Sequence, residues 1–266
     1  MKKILIIGKR GFLGRSLFKY LRKKYRVSFK SFDQIKKKRE IKNFNFIINT
    51  SINKNYIKKA YQEKFDNDLK ISSIIDKKIK YVFISTRKIY EPKVNIKENS
   101  KIKPVDFYAK NKLVSEKKLS KRLNKNLIIL RVSNIIGEKK NLSKNLHYTF
   151  IDHFISNVKK GFVYDNGHNF KDFISIDKFC QIIHQILKKN LSGTYNVSIG
   201  QKIFLNELIS WLNRHNKRNI KIKKLVSNKK ESFYLNNKKL MRKIEIKNTK
   251  LQLKNYCLKL SKKLFS

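Results

Sequence analysis

Residues 4–17 read ILIIGKRGFLGRSL, and this stretch decides the fold. Ile4–Ile7 is an unbroken apolar run, as a strand buried on both faces requires, and Gly8 closes it. Beyond it Phe12, Leu13, Leu17, Phe18 and Leu21 recur at helical spacing, to about Lys24. Three of the chain's eight glycines, Gly8, Gly11 and Gly14, sit at this strand–helix junction. One glycine makes the tight turn, the next lets a pyrophosphate approach the backbone, and the third permits close helix packing. The start of the helix adds free N–H groups and the positive end of its dipole. The spacing is G-x-x-G-x-x-G rather than the commoner G-x-G-x-x-G. It predicts a dinucleotide-binding turn, with Gly8, Arg10, Gly11, Phe12, Leu13 and Gly14 as cofactor-binding candidates.

Outward from this turn, strands and helices alternate. Val27–Phe32 and Phe44–Ile48 read as strands, and Asn55 to Lys78 as one long helix with Ile57, Tyr61, Phe65, Leu69 and Ile71 inward. Tyr81–Ser85 is a strand, Phe107–Leu123 a helix and Leu127–Val132 another apolar strand. Such alternation implies an α/β fold, a Rossmann-type doubly wound parallel sheet. Residues 1–137 form its nucleotide-binding domain. Residues 138–266 form a smaller α+β substrate-binding part, with segments near 169–200 returning to the sheet. In that part helices are expected at Tyr148–Lys159, Asp177–Lys189, Leu205–Asn213 and Leu251–Leu264. Strands are expected at Asp172–Ile176, Thr194–Val197 and Ile220–Ile222.

Composition sets the background. The 266 residues carry a formal net charge of +48, yet 40% are apolar and 12% aromatic, too many for a disordered chain. The abundant Lys, Asn, Ile and Phe have A/T-rich codons, and the scarce Ala, Gly, Pro and Arg have G/C-rich ones. Lysines are spread along the chain, the densest run being Lys36-Lys37-Lys38-Arg39, read as a solvated loop. The charge therefore records codon drift rather than a specific nucleic-acid partner. Cys180 and Cys257 suggest neither a disulfide framework nor a metal cluster. His147, His153, His168, His184 and His215 lack metal spacing and are read as structural, with His147 and His153 as alternative cleft residues. No apolar run suits a secretory leader or approaches the roughly 18 residues of a membrane span. A cytoplasmic protein is expected.

With these motifs the chain resembles the extended short-chain dehydrogenase/reductase family, also called the NAD-dependent epimerase/dehydratase family. Its members act mostly on nucleotide-activated sugars, and their signature is Tyr-x-x-x-Lys. Three such pairs occur here: Tyr20/Lys24, Tyr108/Lys112 and Tyr234/Lys238. Tyr108 lies at a helix start, after one of two prolines (Pro104) and before one of two alanines (Ala109), so Tyr108/Lys112 is selected. Residues i and i+4 share a helix face, and a nearby ammonium makes a phenol a more usable base. The resemblance implies that Lys112 also binds the nicotinamide ribose. Thr86, four residues before Tyr90, matches the family's strand-end hydroxyl, with Ser85 the runner-up.

Further echoes follow in order. Asn49, Thr50 and Ser51 match the loop over the cofactor, and Asn67 matches a helix asparagine that orients the active site. Asn134, in LRVSNIIG, and Lys171, in KDF, match substrate-binding positions. Tyr195-Asn196-Val197 matches a late strand. Arg87 and Lys88 replace the acidic pair of the dehydratases, which argues against 4,6-dehydration. Residues 33–43 are too few for the usual extra strand and helix. Ser31, at the end of the second strand, with Lys30 and Arg10 suits a 2′-phosphate, so NADP is favoured over NAD. The compact length most resembles the dTDP-4-dehydrorhamnose reductase-like branch. The resemblance implies an NAD(P)-dependent oxidoreductase or epimerase of a nucleotide sugar, as monomer or homodimer. Two rival expectations are a catalytically inactive NAD(P)-binding sensor or scaffold, and a basic surface binding RNA or anionic lipid.

Overall fold

Leu127–Val132 is buried along its whole length, and strands pair with both of its edges. The computed structural model describes residues 1–35, 37–76, 78–138, 150–165, 169–217, 220–224 and 232–265. In chain order the first half holds β1 (Lys3–Ile7), α1 (Phe12–Leu21), β2 (Arg26–Lys30), β3 (Phe46–Asn49), α2 (Lys54–Lys58) and α3 (Asn67–Ser73). It continues with β4 (Lys80–Thr86), α4 (Phe107–Leu123), β5 (Leu127–Val132) and β6 (Asn134–Ile136). Then come α5 (Phe150–Lys159), β7 (Phe162–Asp165), β8 (Phe170–Lys171), β9 (Phe173–Ser175), α6 (Ile176–Lys188) and β10 (Gly193–Val197). The chain ends with β11 (Ile203–Phe204), α7 (Leu205–Asn213), β12 (Lys221–Lys224), α8 (Lys238–Met241) and α9 (Lys250–Phe265).

Six strands form one sheet in the order β2-β1-β3-β4-β5-β10, and every pairing is parallel. Residues of alternate parity supply its two cores, as a strand period of two demands. Ile4, Ile6, Ile48 and Val82 pack with Leu17 of α1 and Phe179 and Ile183 of α6. Leu5, Ile7, Ile47 and Phe83 pack with Leu69 of α3 and Leu119 of α4. Each such side chain contributes about 1.5–3 kcal/mol by leaving water. A third core, with Phe173, Leu208, Trp211 and Leu253, lies among α5, α7, α9 and the short strands. After β1 the chain moves outward to β2, then crosses back to β3 on the other side of β1. That reversal opens a crevice above β1 and β3, where a doubly wound sheet takes its ligand.

The long helix expected from Asn55 to Lys78 is not one helix. It is α2, a 3-10 turn at Glu63–Phe65, and α3. The apolar spacing runs through the break, but polar caps cut it. Asn111 of α4 donates to the carbonyls of Tyr56 (2.8 Å) and Lys59 (2.9 Å), closing the end of α2. Asp66 accepts from Leu69 N at 3.0 Å and starts α3 afresh. Other expected elements shift by a few residues at most, and α4, β5 and α7 keep their bounds. Residues 32–34 and 38–40 form only 3-10 turns, so β2 remains the sheet edge. Lys36, His147 and His168 lie outside the described residues, as does the beginning of the helix expected at Tyr148.

Candidate active site

The glycine turn is built by three strand ends meeting. Gly8 N donates to Lys30 O at 2.9 Å, and Thr50 N and Oγ1 both donate to Ile7 O at 2.8 Å. Gly8 has φ +117, and a Cβ there would lie 2.3 Å from Thr50 Oγ1 and 2.9 Å from Ser51 N. A Cβ on Gly14 would lie 2.4 Å from Gly8 O. The fold itself therefore requires both glycines. Gly11 differs: its φ is −84, and the nearest atom to an added Cβ is Gly8 O at an ordinary 3.5 Å. Gly11 is also the N-cap of α1, and no side chain caps that end. The space a Cβ would fill and the uncapped N–H groups fit a pyrophosphate.

Thr86 ends β4 and caps the following turn, its Oγ1 accepting from Lys88 N at 3.2 Å. Ser85 faces the other way: buried, it donates to Glu116 Oε1 at 2.5 Å. That separates the two strand-end hydroxyls and leaves Thr86 as the candidate. Asp106 caps α4 by accepting from Ala109 N at 2.7 Å. Lys88 Nζ reaches the other Asp106 oxygen at 2.9 Å, tying the Thr86 turn to the start of the helix bearing Tyr108. Burial opposes ionisation of Asp106, but the bonds from Lys88 and Ala109 hold its carboxyl below the usual value. Tyr108 is half-buried in the first turn of α4. Lys112 is 5% exposed, and its ammonium lies 4.4 Å from the Phe83 ring centroid and 3.7 Å from Asp68 Oδ2.

The remaining candidates divide into those engaged inside the protein and those at its surface. Asn49 is buried; its Oδ1 accepts from Ser51 N and Oγ, and its Nδ2 donates to Asp68 Oδ1 at 2.8 Å. Asn67 Nδ2 donates to Ser51 Oγ at 3.1 Å. Ser31 N and Oγ both donate to Gln34 Oε1. Arg10 and Asp33 form an exposed pair at 3.4 Å between the glycine turn and the segment after β2. Phe12 and Leu13 open α1, half-buried. Asn134 Nδ2 donates to Asp172 O at 3.1 Å, and Lys171 sits half-buried in β8 opposite Ile203 of β11. Arg87 lies 3.8 Å over the Phe233 ring. His184 accepts from or donates to Tyr25 OH at 2.8 Å, and His153 is exposed on α5. Among the described residues no group of three or more His, Cys, Asp or Glu is arranged to hold a metal ion, and no helix is long and apolar enough to cross a membrane.

Sequence reasoning missed the acids behind the helix. Asp66 accepts from Ser115 Oγ (2.5 Å) and Tyr61 OH (3.1 Å), and Ser115 in turn bonds Tyr56 OH at 2.6 Å. Asp68 faces Lys112, and Glu116 pairs with Arg131 at 2.7 Å. A signal was present: the chain has only 18 acids, and two of them fall in FDNDL, just before an apolar helix stretch.

A parallel six-stranded sheet with a glycine turn at its switch point defines a Rossmann-type nucleotide-binding protein. The model of the NAD dependent epimerase/dehydratase family matches residues 58–198, more than half of the chain, and the chain belongs to that family. Its fold is similar to that of UDP-N-acetylglucosamine 4-epimerase from Methanobrevibacter ruminantium M1 in complex with UDP-N-acetylmuramic acid. The TM-score is 0.80 at 18% identity, over 98% of this chain and 97% of that chain. A UDP-glucuronic acid 4-epimerase from Bacillus cereus in complex with NAD gives 0.78 at 16%, over 99% and 100%. A dTDP-4-dehydrorhamnose reductase from Clostridium acetobutylicum ATCC 824 gives 0.73 at 19%, over 96% and 98%. At these identities the likeness is one of fold. No curated protein matches the chain significantly in sequence.

Proposed function

We propose that this chain is an NAD(P)-dependent reductase or epimerase of a nucleotide-linked sugar, with Tyr108 as its acid/base. The observation that carries this reading is the Lys88–Asp106 tie at 2.9 Å, which joins the strand end at Thr86 to the helix start at Tyr108. Tyr108 and Lys112 lie one turn apart on one face of α4. A free phenol ionises near pH 10, and an ammonium on the same helix face is the kind of group that makes a phenol a usable proton carrier. Tyr108 then takes a proton from a sugar hydroxyl, or returns one to a ring carbonyl oxygen. Thr86 donates a hydrogen bond to that same oxygen and fixes it. Lys112 also holds the ribose hydroxyls of the cofactor. The glycine turn would hold the cofactor by its pyrophosphate, and the bound cofactor would supply the hydride acceptor or donor.

Arg87, against Phe233, and Lys88, against Asp106, put two cations where 4,6-dehydration requires acids, which supports reduction or epimerisation over that reaction. Residues from about 138 onward build most of the sugar-nucleotide cleft, parts of them returning to the sheet, with Asn134 and Lys171 touching substrate. Lys30, Ser31 and Arg10 favour NADP over NAD, and the enzyme works in the cytoplasm, alone or as a homodimer. A panel of nucleotide sugars assayed with NADH and NADPH tests the reading. Tyr108→Phe is expected to lower kcat by about 10²–10⁴-fold. Turnover by Tyr108→Phe at the wild-type rate refutes the mechanism.

A further inference from the structure

We infer that Asp68 is the positioning residue of Lys112: its carboxylate fixes the ammonium over the Phe83 ring and offsets part of the positive charge that Lys112 presents to Tyr108. The inference rests on the proposed roles of Tyr108 and Lys112. An ammonium 5% exposed needs a partner, because an uncompensated buried charge is costly. Three groups face it from three elements: Asp68 Oδ2 of α3 at 3.7 Å, the Phe83 ring of β4 at 4.4 Å, and the Tyr56 ring of α2 at 5.7 Å.

Asp68 is itself anchored to the sheet. Its Oδ1 accepts from Tyr81 OH of β4 at 2.6 Å and from Asn49 Nδ2 at the end of β3 at 2.8 Å. Oδ2 is thereby turned to Lys112 at a distance longer than the roughly 2.7–3.2 Å of a hydrogen bond. The pairing acts through charge and does not engage an ammonium N–H, so it is compatible with Lys112 donating to ribose hydroxyls. The Asp68 carboxyl is raised overall, first by burial and also by the neighbouring Asp66 charge, while Lys112, Tyr81 and Asn49 act the other way. The second carboxylate at this end of α3, Asp66, has different partners: Ser115, Tyr61 and the N–H of Leu69. Two acids two residues apart thus have separate work, one toward the lysine and one toward the α2–α4 scaffold.

The experiment compares Asp68→Asn with Asp66→Asn, both isosteric. Removing the Asp68 charge leaves Lys112 uncompensated and favours the Tyr108 phenolate. The rising limb of kcat/KM against pH should therefore move down by about one pH unit. The NADH dissociation constant, read by fluorescence titration without substrate, should rise on the order of tenfold as the ammonium loses its fixed position. Asp66→Asn should lower the melting temperature and leave both readouts in place. A folded Asp68→Asn protein with an unmoved limb and unchanged NADH affinity overturns the inference, as does an equal shift from Asp66→Asn. Should Asp68→Asn not fold, Tyr81→Phe keeps the charge but removes the 2.6 Å anchor; it should weaken NADH binding, and unchanged affinity overturns the inference. If Tyr108→Phe stays fully active, the reading of the site fails instead, whatever the Asp68 variants do.

Discussion

Two buried ion pairs lie against the same helix, one turn apart, and they are built differently. Glu116 and Arg131 make a two-pronged contact, with Nη2 to Oε2 at 2.7 Å and Nε to both oxygens at 3.2 Å. Ser85 donates to Glu116, and Arg131 Nη1 donates to Tyr90 OH and to Glu98 O, both at 2.7 Å. Lys112 and Asp68 stand 3.7 Å apart. The close, bond-saturated pair clamps α4 to β4 and β5, and the loose pair leaves an ammonium able to take a further partner. On the proposed reading, pairing distance separates scaffold from site on a single helix. Glu116→Gln should break this division if it is wrong. Removing one partner of a buried pair costs about 3–5 kcal/mol, and the melting temperature should fall by roughly 10 °C. If Glu116→Gln costs no more than Asp68→Asn in the same melting series, the division fails.

Another buried acid, Asp172, sharpens the contrast because it is held by a backbone group. Leu235 N donates to its Oδ2 at 2.9 Å, and burial raises its carboxyl to about 7 from 3.8. Between those values the folded chain binds a proton that the unfolded chain has lost. Stability from this group is therefore fully present below about 4 and declines as pH rises through about 7. Asp172→Asn should remove that decline, and its melting temperature at pH 8 should equal or exceed the wild type's. A variant whose melting curve keeps the wild-type slope between pH 5 and 8 would show that Asp172 stays ionised throughout.

The same division between scaffold and site runs through the glycine turn. Gly8→Ala places a Cβ on Thr50 at a left-handed φ and should lower the melting temperature by several degrees, consistent with strain of about 1–3 kcal/mol. Gly11→Ala meets only ordinary contacts and should melt like the wild type while weakening NADH binding on the order of tenfold. Equal melting losses for both would make all three glycines structural.

Strands were the legible part of this chain, since runs such as Leu127–Val132, buried on both faces, carry their pattern within themselves. α4 and the glycine turn were legible for the same reason: their signals lie within a few residues. The break between α2 and α3 was not. Its cap comes from Asn111, 55 residues beyond Tyr56, while the apolar period continues unbroken through Phe65 and Leu69. The spacing to Tyr90 favoured Thr86 over Ser85 in the sequence, but that Glu116 engages Ser85 could be read only from the fold. Short strands such as β6 and β8 exist only through distant partners, Asn134 beside Phe173 and Lys171 beside Ile203. Asp68 is the instructive omission: an acid is conspicuous against so much lysine, but its partner lies 44 residues away in sequence on another helix.

The smallest effect is expected at the exposed pair Arg10–Asp33, whose side chains are 82% and 69% accessible. Solvent screens such a pair, so neither residue matters to stability, and single substitutions should leave melting unchanged. The proposed preference for NADP is tested at this pair. Arg10, with Lys30 and Ser31, offers charge and a hydroxyl to a 2′-phosphate, while Asp33 opposes it. Arg10→Ala should lower kcat/KM with NADPH by about tenfold relative to NADH, as expected for loss of one charge-assisted contact. Asp33→Asn should shift the ratio the other way. Both shifts should shrink as salt is raised from 50 to 300 mM, about the range over which the Debye length falls below the reach of these side chains. A ratio that ignores both substitutions would place 2′-phosphate recognition elsewhere on the segment after β2, and would leave the loose-pair rule to the buried site alone.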